Sequence, residues 1–111
     1  MAIKEVTDES FRGSVKETGV TLVEFGAVWC PPCKVLLPVL EQLDAEWGGQ
    51  VAVLKVDVEE SPVTASEFRV MSMPTVVVFQ DGQPVEKLVG LRPKPLYQSV
   101  VDKYLEQESR A

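Results

Sequence analysis

The chain has 111 residues, 45% of them hydrophobic and 25% charged, a length and balance that describe one ordinary globular domain and exclude a disordered polymer. Eleven Lys and Arg against seventeen Asp and Glu leave a net charge of −6, a surface that repels polyphosphate and excludes nucleic acid as the main partner. Histidine is absent and cysteine occurs twice, so the commonest general base is missing and one chain cannot close a four-ligand zinc site.

No apolar run approaches the ~20 residues of a membrane span. Lys4, Glu5, Asp8, Glu9, Arg12, Lys16 and Glu17 interrupt the stretch where a signal peptide would need an apolar core. With no repeat, low-complexity tract or linker, the expectation is a single domain over residues 1–111, cytoplasmic and not membrane-bound.

The elements alternate along the chain. Lys4–Val6 reads as a short first strand, and Thr7 or Asp8 as the cap of a helix running to about Lys16. Val20–Phe25 is a β-rich run with the pattern of a central strand, in which Glu24 is out of character. After Cys30-Pro31-Pro32-Cys33, the residues Leu36, Leu40, Leu43 and Trp47 fall on one helical face, closed by Gly48-Gly49. Pro38 lies inside that helix, where its ring is expected to kink it. Val51–Val58 reads as a strand, and Ser61-Pro62 as the cap and first residue of a short helix to about Phe68. Thr75–Phe79 is a second buried strand, turned by Asp81-Gly82 into an antiparallel Val85–Val89. Pro93 or Lys94 opens a last helix with Leu96, Val100 and Tyr104 on its inner face. A βαβαβ order followed by αββα predicts a mixed sheet, parallel through right-handed crossovers with an antiparallel edge, and helices on both faces.

The chemistry-bearing motif is Trp29-Cys30-Pro31-Pro32-Cys33-Lys34, between a strand and a helix. Two intervening residues on a first helical turn let the sulfurs meet in a small ring. Cys30 near the N-cap has a thiolate stabilised by free backbone N–H groups and the helix dipole. Cys33, one turn in, can resolve a mixed disulfide. Proline suits N1 and N2, yet Pro32 disfavours helical geometry at Pro31, and the two together remove two N–H donors from the anion site. Half of an intermolecular zinc site and an inert buried pair are the competing uses of these cysteines; the strand–turn–helix context favours redox exchange.

The run Val23–Lys34 resembles the active-site signature of the thioredoxin family. The likeness extends over nearly the whole chain through Pro38, Lys55, Asp57, Met73-Pro74-Thr75 and Val89-Gly90. It implies the α/β thioredoxin fold, a five-stranded mixed sheet in order 1-3-2-4-5 flanked by four helices. It also recasts several residues. Strand alternation alone favours an exposed Glu24 and a solvated Lys55. The resemblance instead implies a buried acid at 24 that exchanges protons with Cys33, its charge modulated by Lys55. The family's buried acid is Asp, one methylene shorter than Glu24. Pro74, by pattern an ordinary trans strand entry, is implied to be cis beside the disulfide, blocking metal capture by the cysteines, while the Met73 backbone pairs with an extended substrate. Trp29, Pro31, Pro32, Ser72, Met73, Val89, Gly90 and Leu91 are the expected substrate-binding residues, an apolar collar around Cys30 suited to docking on proteins; ordinary strand core is the competing assignment for Val89. Trp47 is assigned to the core. Two positions depart from the family pattern: Gly26 stands where many members have Trp, and Pro31 where Gly is usual.

The resulting reading is a general protein-disulfide reductase. It binds no cofactor or metal and acts as a monomer on disulfide-containing proteins. A thioredoxin reductase that carries the FAD and draws on NADPH re-reduces it. Two alternatives stand beside it: the same fold acting as a disulfide oxidase or isomerase, and a non-catalytic binding subunit that uses only the collar.

Overall fold

A computed structural model describes residues 3–110. Its element order is β1 (Lys4–Val6), α1 (Phe11–Ser14), β2 (Val20–Gly26), α2 (Pro31–Trp47), β3 (Val51–Asp57), α3 (Pro62–Glu67), β4 (Thr75–Gln80), β5 (Gln83–Val89) and α4 (Lys94–Arg110). The strands form one sheet in the order β1-β3-β2-β4-β5. β3 runs parallel to both β1 and β2, while β4 is antiparallel to β2 and β5. The expected mixed sheet and its strand order are both present.

Alternation along β2 divides its side chains between two cores. Val20 and Leu22 pack with Val76 and Val78 against Leu36, Leu40, Leu43 and Trp47 of α2 and Tyr97, Val101 and Tyr104 of α4. Val23 and Phe25 face the other way, with Val6, Phe11, Leu54, Val56, Val77 and Phe79. On that side Phe68 meets Phe11 at 5.5 Å and Phe79 at 5.2 Å between ring centroids, both edge to face, the arrangement the ring quadrupoles favour. All seven residues of β2 are buried.

Three local expectations are corrected. The first helix is only four residues long, with Ser10 rather than Thr7 or Asp8 at its N-cap. It stops because the backbone turns extended at Val15 and Lys16 N–H is drawn to Thr21 Oγ1 at 3.0 Å, back towards the sheet. Asp8 instead caps α3 from a distance in sequence: its Oδ1 accepts from Thr64 N–H (2.8 Å) and Thr64 Oγ1 (2.7 Å), and its Oδ2 from Val63 N–H (3.3 Å). Ser61 occupies the N-cap position of α3 without making the cap bond, since the charged acceptor satisfies the orphan donors more strongly. In α4 the buried stripe is Tyr97, Val101 and Tyr104, so Leu96 and Val100 are half-buried flanks rather than the centre of the inner face. The hairpin follows expectation, with Asp81 and Gly82 both at positive φ (52° and 83°), the conformation a two-residue turn between twisted strands requires.

The hydrogen bonds to Asp8 hold its carboxyl below the usual carboxylate range, those from the Thr64 hydroxyl and N–H first. Asp8→Ala is expected to speed amide hydrogen exchange at Val63 and Thr64 while leaving the central strands protected. Unchanged exchange at those two amides would show that the long-range cap is not what orders α3.

Candidate active site

The site forms where β2 runs out and α2 begins. Cys30 is the N-cap of α2, with extended backbone (φ −91°, ψ 109°) and Pro31 and Pro32 following as the first helical residues. Proline at 31 holds Cys30 extended, as a cap must be, and both prolines sit where the missing N–H would have had no intrahelical acceptor. The first remaining donor, Cys33 N–H, points at Cys30 Sγ at 3.3 Å. Cys30 and Cys33 are joined in a disulfide with their Cα atoms 5.3 Å apart. Both cysteines are buried, and with Ala27 they form a small cluster onto which Val58 and Met73 pack.

Beneath the disulfide, the strand alternation that carries Val20 and Leu22 inward continues to Glu24 and Gly26. On β3 the same face continues from Val51 and Val53 to Lys55 and Asp57. The parallel register sets Glu24 beside Lys55 and Gly26 beside Asp57. Glu24 is only 1% exposed; the exposure expected for it is corrected because both faces of β2 are covered. Neither of its carboxylate oxygens takes a hydrogen bond from a described residue. A cavity of about 200 Å³ opens beside it, lined by Glu24, Gly26, Cys33, Lys34, Leu37, Lys55 and Asp57 among others; this is room for several waters.

Burial pushes the Glu24 carboxyl up from the ordinary 4.5 to about 7; Lys55 opposes the shift and Asp57 adds to it. An acid at that value is poised to give or take a proton near neutrality. Asp57 is the contributor that sequence reasoning passed over, having counted it only as a landmark. Its spacing from Lys55 on an alternating strand was the available signal. Asp57 Oδ1 accepts from Glu59 and Glu60 N–H at 2.8 and 3.2 Å, which fixes the carboxylate at the cavity wall.

The expected collar residues lie on three segments, of which Met73 packs against the cysteine pair. Met73-Pro74 is a cis peptide bond, with Pro74 buried, and the preceding loop is fastened by Thr75 Oγ1 donating to Ser72 O at 2.7 Å. Thr75 pairs with Val89 in the β4–β5 ladder, and Gly90 N–H donates to Pro74 O at 2.8 Å, bringing residues 89–91 beside 72–74. Trp29 is 57% exposed, and Val89 and Leu91 are each 44% exposed; Pro31, Pro32 and Ser72 are exposed, Met73 and Gly90 half-buried. Exposure of Val89 decides against its assignment to strand core. The sequence reading missed Tyr97, whose hydroxyl accepts from Arg92 N–H at 3.1 Å and holds the end of the collar loop from within the core. Val28, exposed next to Trp29, extends the same apolar rim.

The family model described as Thioredoxin matches residues 2–103. The chain belongs to the thioredoxin family. Thioredoxins from Staphylococcus aureus strains Mu50 and MW2 are each 53% identical over 105 residues, 95% of this chain and 100% of theirs. Among solved structures, a point-mutant thioredoxin from Halobacterium salinarum NRC-1 superposes with a TM-score of 0.86 at 33% identity, covering 94% of this chain and 91% of that one. As a thioredoxin the chain is a protein-disulfide oxidoreductase acting through its cysteine pair, without a bound cofactor. The oxidase, isomerase and non-catalytic readings are not favoured by these likenesses. Membership of the family implies a thioredoxin reductase and disulfide-bearing substrates as partners. No helix of the described residues is long and apolar enough to cross a membrane, and none of their His, Cys, Asp or Glu side chains group in threes to hold a metal.

The buried carboxyl carries a stability signature. Because Glu24 is protonated up to about 7 in the folded chain but ionises near 4.5 when unfolded, the folded state binds the extra proton between those values. Stability is therefore lost as pH rises through that window. At about 1.4 kcal/mol per tenfold, the loss attributable to Glu24 is on the order of 3 kcal/mol by pH 8. Denaturant unfolding of the wild type and Glu24→Gln at pH 4.5 and pH 8 is expected to show the variant gaining relative stability at the higher pH. A difference that does not change with pH would rule out a perturbed carboxyl at 24.

Proposed function

We propose that Cys30 is the attacking sulfur and Cys33 the resolving one in reduction of protein disulfides. The observation that carries this reading is the position of Cys30 as the N-cap of α2, its Sγ receiving the Cys33 N–H. There the helix dipole and that donor favour the thiolate. In the reduced protein, Cys30 thiolate attacks one sulfur of a substrate disulfide, forming a mixed disulfide and expelling the other substrate sulfur as a thiolate. Cys33 gives its proton to the Glu24 carboxylate, then attacks Cys30 Sγ and releases the second substrate thiolate. The cysteine pair thereby loses two electrons and closes as a disulfide, and the substrate gains them as two thiols.

Lys55 tunes the Glu24 charge from the neighbouring strand, and the cavity gives the proton a route to solvent. Trp29, Pro31, Pro32, Ser72, Met73, Val89, Gly90 and Leu91 receive the substrate, which lies extended along Met73 with its disulfide over Cys30. Pro74 shapes this groove and, with no N–H, leaves the Met73 backbone as the pairing edge. We assign the residues 1–111 to a single domain, acting as a cytoplasmic monomer that a thioredoxin reductase recharges with electrons from NADPH through FAD.

Cys33→Ser is expected to accumulate mixed disulfides with substrate proteins through Cys30, resolved by mass spectrometry of the trapped peptides. Trapping through residue 33 in the reciprocal Cys30→Ser variant, and not through Cys30, would reverse the assignment. The double variant Cys30→Ser, Cys33→Ser is expected to lose turnover of an insulin-type disulfide substrate entirely, whereas a docking subunit would keep its function. The reduction potential of the couple, measured in thiol buffers, is expected near the roughly −270 mV of thioredoxin. A value near roughly −180 to −120 mV would place the chain with isomerases and oxidases instead.

A further inference from the structure

Gly26 is placed on β2 two residues after Glu24, on the same face of the sheet. A Cβ at position 26 would stand 3.1 Å from Cys33 Sγ and 3.3 Å from Cys33 Cβ, and it would overlap the place now held by Glu24 Oε2. The carboxyl and the sulfur thus share one wall, and that wall is the bare α-carbon of Gly26. We propose that Gly26 is a positioning residue for Glu24: its missing side chain is the space in which the carboxyl end lies against Cys33, so that residues 24 and 26 act as a pair. The inference rests on the reading of Glu24 as the proton acceptor for Cys33.

The steric argument identifies which neighbour must yield to a Cβ. Cys33 is held by the first turn of α2, by the disulfide and by its N–H bond to Cys30 Sγ. The Glu24 carboxyl is the free end of a flexible side chain with no hydrogen bond to a described residue. A methyl group at 26 therefore drives the carboxyl away from Cys33 and into the adjoining cavity of about 200 Å³. There it meets Lys55 and Asp57 from β3 and Lys34 from α2. From α4, Tyr97 also bears on the Glu24 charge, and the β4 neighbour Val76 carries no charge. Desolvation is the leading cause of the raised Glu24 value, ahead of the opposed charges of Lys55 and Asp57, so hydration in the cavity lets the displaced carboxyl ionise more readily.

The test compares wild type, Gly26→Ala, Glu24→Asp and the double variant Glu24→Asp, Gly26→Ala in the full chain. Carboxyl ¹³C NMR follows the titration of residue 24 in the oxidised protein. Rapid-mixing kinetics follow resolution of a preformed Cys30 mixed disulfide with a small aromatic thiol. Gly26→Ala is expected to lower the Glu24 titration midpoint by about one pH unit or more and to slow resolution about tenfold near pH 7. In the Glu24→Asp background, where the shorter acid does not reach the 26 position, the same Gly26→Ala change is expected to alter the rate and the acid's ionisation constant by less than about threefold. An unmoved Glu24 midpoint in Gly26→Ala overturns the proposal, as do equal effects in both backgrounds. If Gly26→Ala alone fails to fold while the double variant folds, the pairing is supported directly; if neither folds, the methyl group clashes with Cys33 or the backbone and the proposal is wrong. Glu24→Gln separates the two ideas: resolution as fast as wild type with an unchanged pH profile removes the proton-acceptor role, while the NMR midpoint continues to decide whether Gly26 positions the carboxyl.

Discussion

Complete burial of β2 on both faces is the constraint on which the rest of the structure depends. Each of its seven residues is covered, so every side chain it carries must be matched by a helix on one side or the aromatic cluster on the other. Val20 and Leu22 are answered by α2 and α4, and Val23 and Phe25 by the residues around Phe11 and Phe79. The strand then delivers its last residues directly beneath the helix start that carries the cysteines. Redox chemistry is thereby attached to the end of a strand buried on both faces.

That attachment has an electrostatic consequence. A carboxylate in such a place is disfavoured unless something compensates, and at Glu24 the compensation is incomplete: Lys55 works against the burial and Asp57 with it. The chain tolerates a group that is neutral at low pH and charged only near or above neutrality. The instability is local, at the single position where the proposed chemistry calls for an acid–base group, while Val20, Leu22 and Val23 before it on the strand are apolar core. The cavity beside it and the bare α-carbon at 26 belong to the same arrangement, which leaves a longer acid room to lie close to sulfur.

Much of this was legible in the sequence. Hydrophobic periodicity placed α2 by its Leu36–Trp47 stripe, and the Asp81-Gly82 pair placed the hairpin, because both signals are local. What was not legible depends on contacts between distant segments. Asp8 looks like a helix cap and is one, but for α3 rather than α1, since only the folded chain brings it to Thr64. Burial of Glu24 follows from cover on both faces of β2, which the strand's own residues do not announce, and its expectation came from resemblance. The role of Gly26 was hidden because an absent side chain leaves no pattern; it becomes visible only when the space it vacates is found occupied by another residue. In α4, Tyr104 faces inward as expected, while Tyr97, with its polar hydroxyl, and Val101 take the places expected of Leu96 and Val100.

Tyr97 also joins two properties usually considered apart. Its ring is fully buried in the α2–α4 core, while its hydroxyl holds the backbone at Arg92, and the Gly90 N–H of the same loop is fastened to Pro74. The proposed docking rim is therefore anchored to the hydrophobic interior and to the sheet at once. A surface held in this way surrenders little conformational freedom when a partner settles on it. Weak, short-lived encounters with many different proteins can then be productive without a large contact area, which suits a carrier that must release each partner as soon as its electrons have passed.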